Sequence, residues 1–190
     1  KTTTLCATLA ALAMTAGFAA ADGHAPVLTV EGEVMITSAP APDHMDIDEV
    51  ISGWVFRTPE TQALQMDDFD NPAMIFVDQA MDAWSTVEGT EGKSCASCHT
   101  DGPEEFAGLR TVLPRWNEEA GALWSMEDYI NDMRVNQMGA EPYKWGKAKM
   151  NAMVALISLQ SRGMPMNVAI DGPAAAAWEN GRDQYYTRVG

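Results

Sequence analysis

Residues 94–100 read SCASCHT, and no other stretch limits the fold of this chain so tightly. Two cysteines three apart, with His99 directly after the second, have the spacing at which Cys95 and Cys98 each add to a haem vinyl group. The imidazole then turns onto the iron. Other chemistry fits less well. A structural zinc site wants four ligands, and only His24 and His44 remain beyond the motif. A thioredoxin-like pair wants a preceding strand within an α/β pattern. A plain Cys95–Cys98 disulfide leaves His99 unexplained.

Compartment and charge point the same way. Lys1 opens an apolar run, LCATLAALAMTAGFA, that ends in Ala19-Ala20-Ala21. This is the layout of an export signal over residues 1–21, cut before Asp22 and taking Cys6 with it. The run is too short for the ~20 residues of a membrane span. Haem c is attached outside the cytoplasmic membrane, so the expected location is the periplasm. A net charge of −15 argues against nucleic acid as a partner, and against anionic membrane surfaces.

Residues 22–47, rich in Pro, Ala and acidic residues, read as an extended lead-in, with VLTVEGEVMI as a brief strand. Over 48–165 the signals are helical. DNPAMIFVDQAMDAW has Asp70 or Asn71 to cap, Pro72 at the first helical position, and a stripe at Met74, Val77, Met81 and Trp84. After His99, TDGPEEFAGLRTVLPRWNEEAG reads as a loop around one side of a haem, with Pro103 or Pro114 setting the carbonyl that holds the His99 ring N–H. Ser125 with Asp128 forms a capping box for a second helix whose face is Met126, Tyr129, Ile130 and Met133. A third helix is expected from Glu141 to Ser161, with Met150, Met153, Val154 and Ile157 on its face and Gly163 as its stop. The order is that of a cytochrome c-like domain, and the expected fold class is all-α.

The tail repeats an earlier segment. DNPAMIFVDQAMDAWSTVEG (70–89) aligns without gaps on DGPAAAAWENGRDQYYTRVG (171–190), at an offset of 101 residues and with six identities. Residues 166–190 therefore read as the start of a second, truncated cytochrome c-like domain, whose haem motif would fall at 196–200.

A haem iron takes a ligand on each face, and His99 supplies one. Met133 lies on the apolar face of the second helix; Met126 and Met138 are rivals, and an open site is also consistent with the pattern. Trp84, Trp116, Trp124 and Trp145 read as core or haem-wall residues. Arg110, Arg115 and Arg134 are candidates to pair with haem propionates.

LQMDDFDNPAMIFVDQAMDAW, GKSCASCH, YINDMR and LISLQSRGMPMNV together resemble the SoxA family, the A subunits of thiosulfate-oxidising SoxAX cytochromes, over about residues 50–190. The resemblance implies two cytochrome c-like domains and pairing with a small haem subunit, SoxX. It also implies an S-thiosulfotransferase activity that joins thiosulfate oxidatively to a cysteine of the carrier SoxYZ, with electrons leaving to a separate cytochrome c. The catalytic haem of the family belongs to the second domain, so no catalytic residue is assigned in this chain. In two-haem members the distal cysteine of the first haem sits in a pattern like I-N-x-C-R; here Met133 stands at that position, in Ile130-Asn131-Asp132-Met133-Arg134. A neutral thioether in place of a thiolate implies a higher reduction potential. The alternative of another class is a single-haem electron carrier without bond-making chemistry.

Overall fold

The computed structural model describes residues 28–41 and 46–188. The expected export signal, Cys6, His24 and His44 lie outside the described residues. Glu31 and Gly32 both take positive φ, 49° and 84°, the geometry of a two-residue hairpin loop whose twist matches its strands. The alternating segment expected as one strand is therefore two: β1 (Leu28–Val30) and β2 (Glu33–Met35), antiparallel with Val30 opposite Glu33. A second ribbon pairs β3 (Ser38–Pro40) with β4 (Glu49–Ile51). Thr58 then caps α1 (Pro59–Met66), its Oγ1 accepting the Thr61 N–H at 3.4 Å.

Asn71 turns the chain into α2 (Met74–Ser85), its Oδ1 accepting the Ala73 N–H at 3.0 Å ahead of the first helical residue. The buried stripe is Val77, Ala80 and Trp84. Met81 was expected on it but is 40% exposed, whereas Ala80 is only 2% exposed. The reason is the neighbour: α2 packs chiefly on the helix over Ala148–Leu159. A methyl side chain at the crossing lets two helix backbones approach closely.

The stretch after His99 is not a plain loop. It holds two 3₁₀ turns (Pro103–Phe106 and Leu109–Val112) and a third ribbon, β5 (Arg115–Asn117) with β6 (Ala122–Trp124). Three two-stranded ribbons correct the all-α expectation to a mostly helical chain with small sheets. The Ser125–Asp128 capping box forms as the sequence implies, with Asp128 Oδ2 accepting the Ser125 N–H at 2.8 Å. It starts α3 (Met126–Asp132), which continues as a π-helical turn over Met133–Gln137.

The third expected helix is shorter than its sequence pattern. It is α4 (Ala148–Leu159), and Glu141–Lys147 is not part of it. Asn131 explains why: its side-chain amide accepts the Tyr143 N–H at 2.7 Å and donates to the Tyr143 carbonyl at 3.0 Å. Both backbone groups that a helix would need are thereby used, and Gly146, at φ 65°, turns the chain before α4 begins. Met150, Met153, Leu156 and Ile157 of α4 join Val77, Ala80, Trp84, Leu113 and Met126 in one core. Arg162 beyond α4 makes a two-pronged ion pair with Asp68, at 2.9 and 3.0 Å. The last element, α5 (Ala175–Tyr186), buries none of its residues.

Candidate functional site

The geometry of Cys95, Cys98 and His99 comes from one carbonyl. The Cys95 C=O accepts the N–H of Cys98 at 3.1 Å and of His99 at 3.0 Å. This closes a single helical turn and brings residues i, i+3 and i+4 to one face. Ser94 and Ser97 stiffen the turn reciprocally: Ser97 Oγ accepts the Ser94 N–H at 3.0 Å while the Ser94 hydroxyl faces the Ser97 backbone. The approach is held by a tight loop in which Glu88 pairs with Lys93. Gly89 is required there, because a Cβ would stand 2.2 Å from the Met138 carbonyl oxygen.

The three side chains open into a cavity of about 980 Å³, counting its mouth. Met133 reaches the same cavity from the end of α3, so all four residues expected at the site are brought together. Met126, Tyr129 and Ile130 of the expected α3 face line it as well, as do Trp84, Leu109, Met138, Met153 and Ile157. Met126 and Met138 are buried at 2% and 4% exposure, and Met133 is 41% exposed. The Met126 sulfur already accepts the Ser158 hydroxyl, at 3.7 Å.

His99 is held on two sides. Its Nδ1–H donates to the Glu105 carboxylate, not to a carbonyl set by Pro103 or Pro114. Its ring packs edge-on to Phe106 at 4.9 Å and tilted to Trp84 at 5.7 Å. Both cysteines are free thiols, with Cys95 half-buried and Cys98 exposed. Burial pushes the Cys95 thiol above its usual value, and the Arg134 guanidinium opposes part of that push.

Arg134 is itself buried, with Glu88 at 2.6 Å, the Glu141 carbonyl at 3.0 Å and the Tyr143 ring 3.5 Å below it. Arg115 lines the cavity and donates to the Tyr129 hydroxyl at 3.0 Å; Arg110 does not line it. Trp84 is a wall residue as expected, but Trp145 is 57% exposed and belongs to neither wall nor core.

The residues fit a haem. The lining is almost wholly apolar, the donor set is two thiols, an imidazole and a thioether, and the buried Trp84 Nε1–H has no partner among the described residues. Such an orphan donor suits an acceptor on a bound group. Among the described residues, which do not include His24 and His44, no cluster of three or more His, Cys, Asp and Glu side chains is placed to hold a bare metal ion.

The SoxA/TsdA cytochrome c domain matches residues 79–166. The SoxA subunit of L-cysteine S-thiosulfotransferase from Paracoccus pantotrophus is 50% identical, over 98% of this chain and 66% of its own length. The corresponding subunit from Rhodovulum sulfidophilum is 49% identical, over 92% and 62%. The crystal structure of SoxXA from P. pantotrophus superposes with a TM-score of 0.80 at 46% identity, covering 88% of this chain and 65% of that one. This chain belongs to the SoxA family. It spans just under two thirds of the length of these SoxA relatives.

Within this SoxA cytochrome c domain, sequence reasoning missed Glu105, Phe106 and Asn131. The first two follow Gly102-Pro103, a turn signal that marks a fixed loop without saying which side chain it turns inward. Asn131 acts across twelve residues, beyond any local pattern.

Proposed function

We propose that this chain carries a covalently attached haem c in the periplasm, as part of a SoxA subunit that couples thiosulfate oxidatively to a carrier-protein cysteine. The observation that carries the haem reading is the Cys95 carbonyl, which sets both thiols and His99 on one face of an apolar cavity that Met133 also enters. Cys95 and Cys98 would hold the group covalently, and His99 and Met133 would supply the side chains that bind its iron. When bound, the haem accepts and passes single electrons. The protein orients the imidazole through Glu105 and Phe106, excludes water with Trp84, Met126 and Met153, and half-buries the Cys95 thiol, which pushes its pKa above the usual value.

In the full reaction a thiosulfate sulfur and the carrier's cysteine sulfur become bonded, and two electrons leave. The partners are a SoxX-like small cytochrome, a SoxYZ-like carrier and an acceptor cytochrome c. The part of that work done by this portion is electron relay. Helix α5 is the first helix of a second cytochrome c-like domain with its own haem. In support, α5 begins and ends 101 residues after α2. Both helices stop at a threonine whose hydroxyl donates to the carbonyl four residues back, Thr86 to Asp82 at 2.8 Å and Thr187 to Asp183 at 2.6 Å. No helix among the described residues is long and apolar enough to cross a membrane.

The test is spectroscopic. The protein made with a c-type maturation system is expected to keep its haem through denaturation. Low-temperature EPR and near-infrared spectra are expected to show histidine–methionine ligation, lost in Met133→Ala. Thiolate or bis-histidine signals would refute Met133 as ligand, and a colourless product would refute the haem reading.

A further inference from the structure

Most of the cavity is apolar, and one charged group reaches the ring that faces it. We propose that Glu105 is a positioning residue for His99, acting through the imidazole on the electron affinity of the group that His99 holds. The proposal rests on the reading of His99 as an iron ligand.

Glu105 accepts the Nδ1–H of His99, which leaves Nε2 as the nitrogen free to bind. Its delivery is built into the backbone. Gly102 takes φ 82°, Pro103 is buried, and the 3₁₀ turn Pro103–Phe106 brings Glu105 and Phe106 to the same ring. One residue fixes the ring by a hydrogen bond and the next by an edge contact, so both its tautomer and its rotation are set. A proline-loop carbonyl in that place would be neutral. A carboxylate acceptor makes the imidazole a stronger donor, which favours the more positive, ferric state. Its side chain is 30% exposed, so water screens it only in part. Glu105 therefore opposes the thioether of Met133, which favours the ferrous state.

The experiment compares midpoint potentials of the haem-loaded protein with Glu105→Gln, Glu105→Asp and Glu104→Gln. Glu104 stands on the same turn and is exposed, so its substitution removes the same charge without touching His99. Glu105→Gln is expected to raise the ferrous-to-ferric ratio at fixed poise about tenfold, 59 mV for a one-electron couple. Glu104→Gln is expected to do much less, and Glu105→Asp to fall between wild type and Glu105→Gln. Equal shifts in Glu105→Gln and Glu104→Gln, or none in either, overturn the proposal. Should Glu105→Gln not take up haem, Glu105→Asp decides: a potential above wild type supports the proposal, and one equal to it overturns it. A wild-type protein without covalent haem overturns the reading of His99 and the proposal with it. A haem-bearing wild type with an unmoved Glu105→Gln potential overturns the proposal alone.

Discussion

Helices α2 and α5 have the same length and the same threonine ending, yet one builds the core and the other buries nothing. Their shared part is local: a proline turn in front, twelve helical residues, and a hydroxyl closing the last carbonyl. Their difference is what lies against them. Val77, Ala80 and Trp84 of α2 meet α4, whereas the corresponding Trp178, Gly181 and Tyr185 of α5 are exposed, Tyr185 at 83%. Local sequence sets where a helix starts and stops, and packing alone decides what its apolar face contributes.

The contrast breaks most visibly at the two tryptophans. Trp84→Ala removes a core side chain from against His99 and is expected to cost about 3–5 kcal/mol. Trp178→Ala is expected to stay within about 0.5 kcal/mol. Urea unfolding of both variants measures the gap, and equal losses would show that α5 is packed as α2 is. A smaller effect of opposite sign is expected at the crossing position. Ala80→Leu overfills the α2–α4 contact at about 1–3 kcal/mol. Gly181→Ala, with open space around its Cβ position, is expected to strengthen α5 by about 0.5–1 kcal/mol. Helicity and thermal unfolding read both.

The last effect concerns pH and Tyr143, which joins the core from the segment ahead of α4. Burial raises the Tyr143 phenol above its ordinary value, with Arg134 opposing. Its folded pKa lies above its unfolded one, so the native state holds the proton longer. The stability this contributes is complete below the ordinary tyrosine value of about 10 and is lost as pH climbs through the folded one, at no more than about 1.4 kcal/mol per pH unit. Tyr143→Phe is expected to flatten that alkaline slope, measured as unfolding midpoint against pH. An unchanged slope would place the alkaline loss elsewhere.

The same division between local and distant explains what could be read in the sequence. The Ser125–Asp128 box and the turn through Cys95, Cys98 and His99 are short-range patterns that form locally. The expected Asp70 or Asn71 cap with Pro72 at the first helical position does not form: α2 starts at Met74 behind Ala73, with no side-chain cap. Met133 was placed at the cavity by helical spacing and by the family pattern together. The failures were long-range or two-sided. Glu141–Lys147 holds Pro142 and Gly146, and its Tyr143 backbone groups are taken by Asn131, so it stays outside the helix expected over it. Met81 is more apolar than Ala80, but the crossing with α4 needs the smaller side chain. The ribbons are three residues per strand; alternation marked the first of them, but as a single strand, and not the other two.

The buried guanidinium of Arg134 has one more consequence. Glu88 leads into the loop that carries both thiols, and Arg134 directly follows Met133, so their ion pair, backed by Tyr143, ties the two flanks of the cavity together. In the proposed haem protein this tie opposes separation of the flanks when the iron changes charge. Electron exchange is slowed chiefly by the atomic rearrangement that each transfer demands, and a stiff, nearly dry enclosure keeps that reorganisation energy low. Two of the three bracing side chains, Arg134 and Tyr143, also line the cavity, so the wall that encloses the site is the same structure that holds its flanks together.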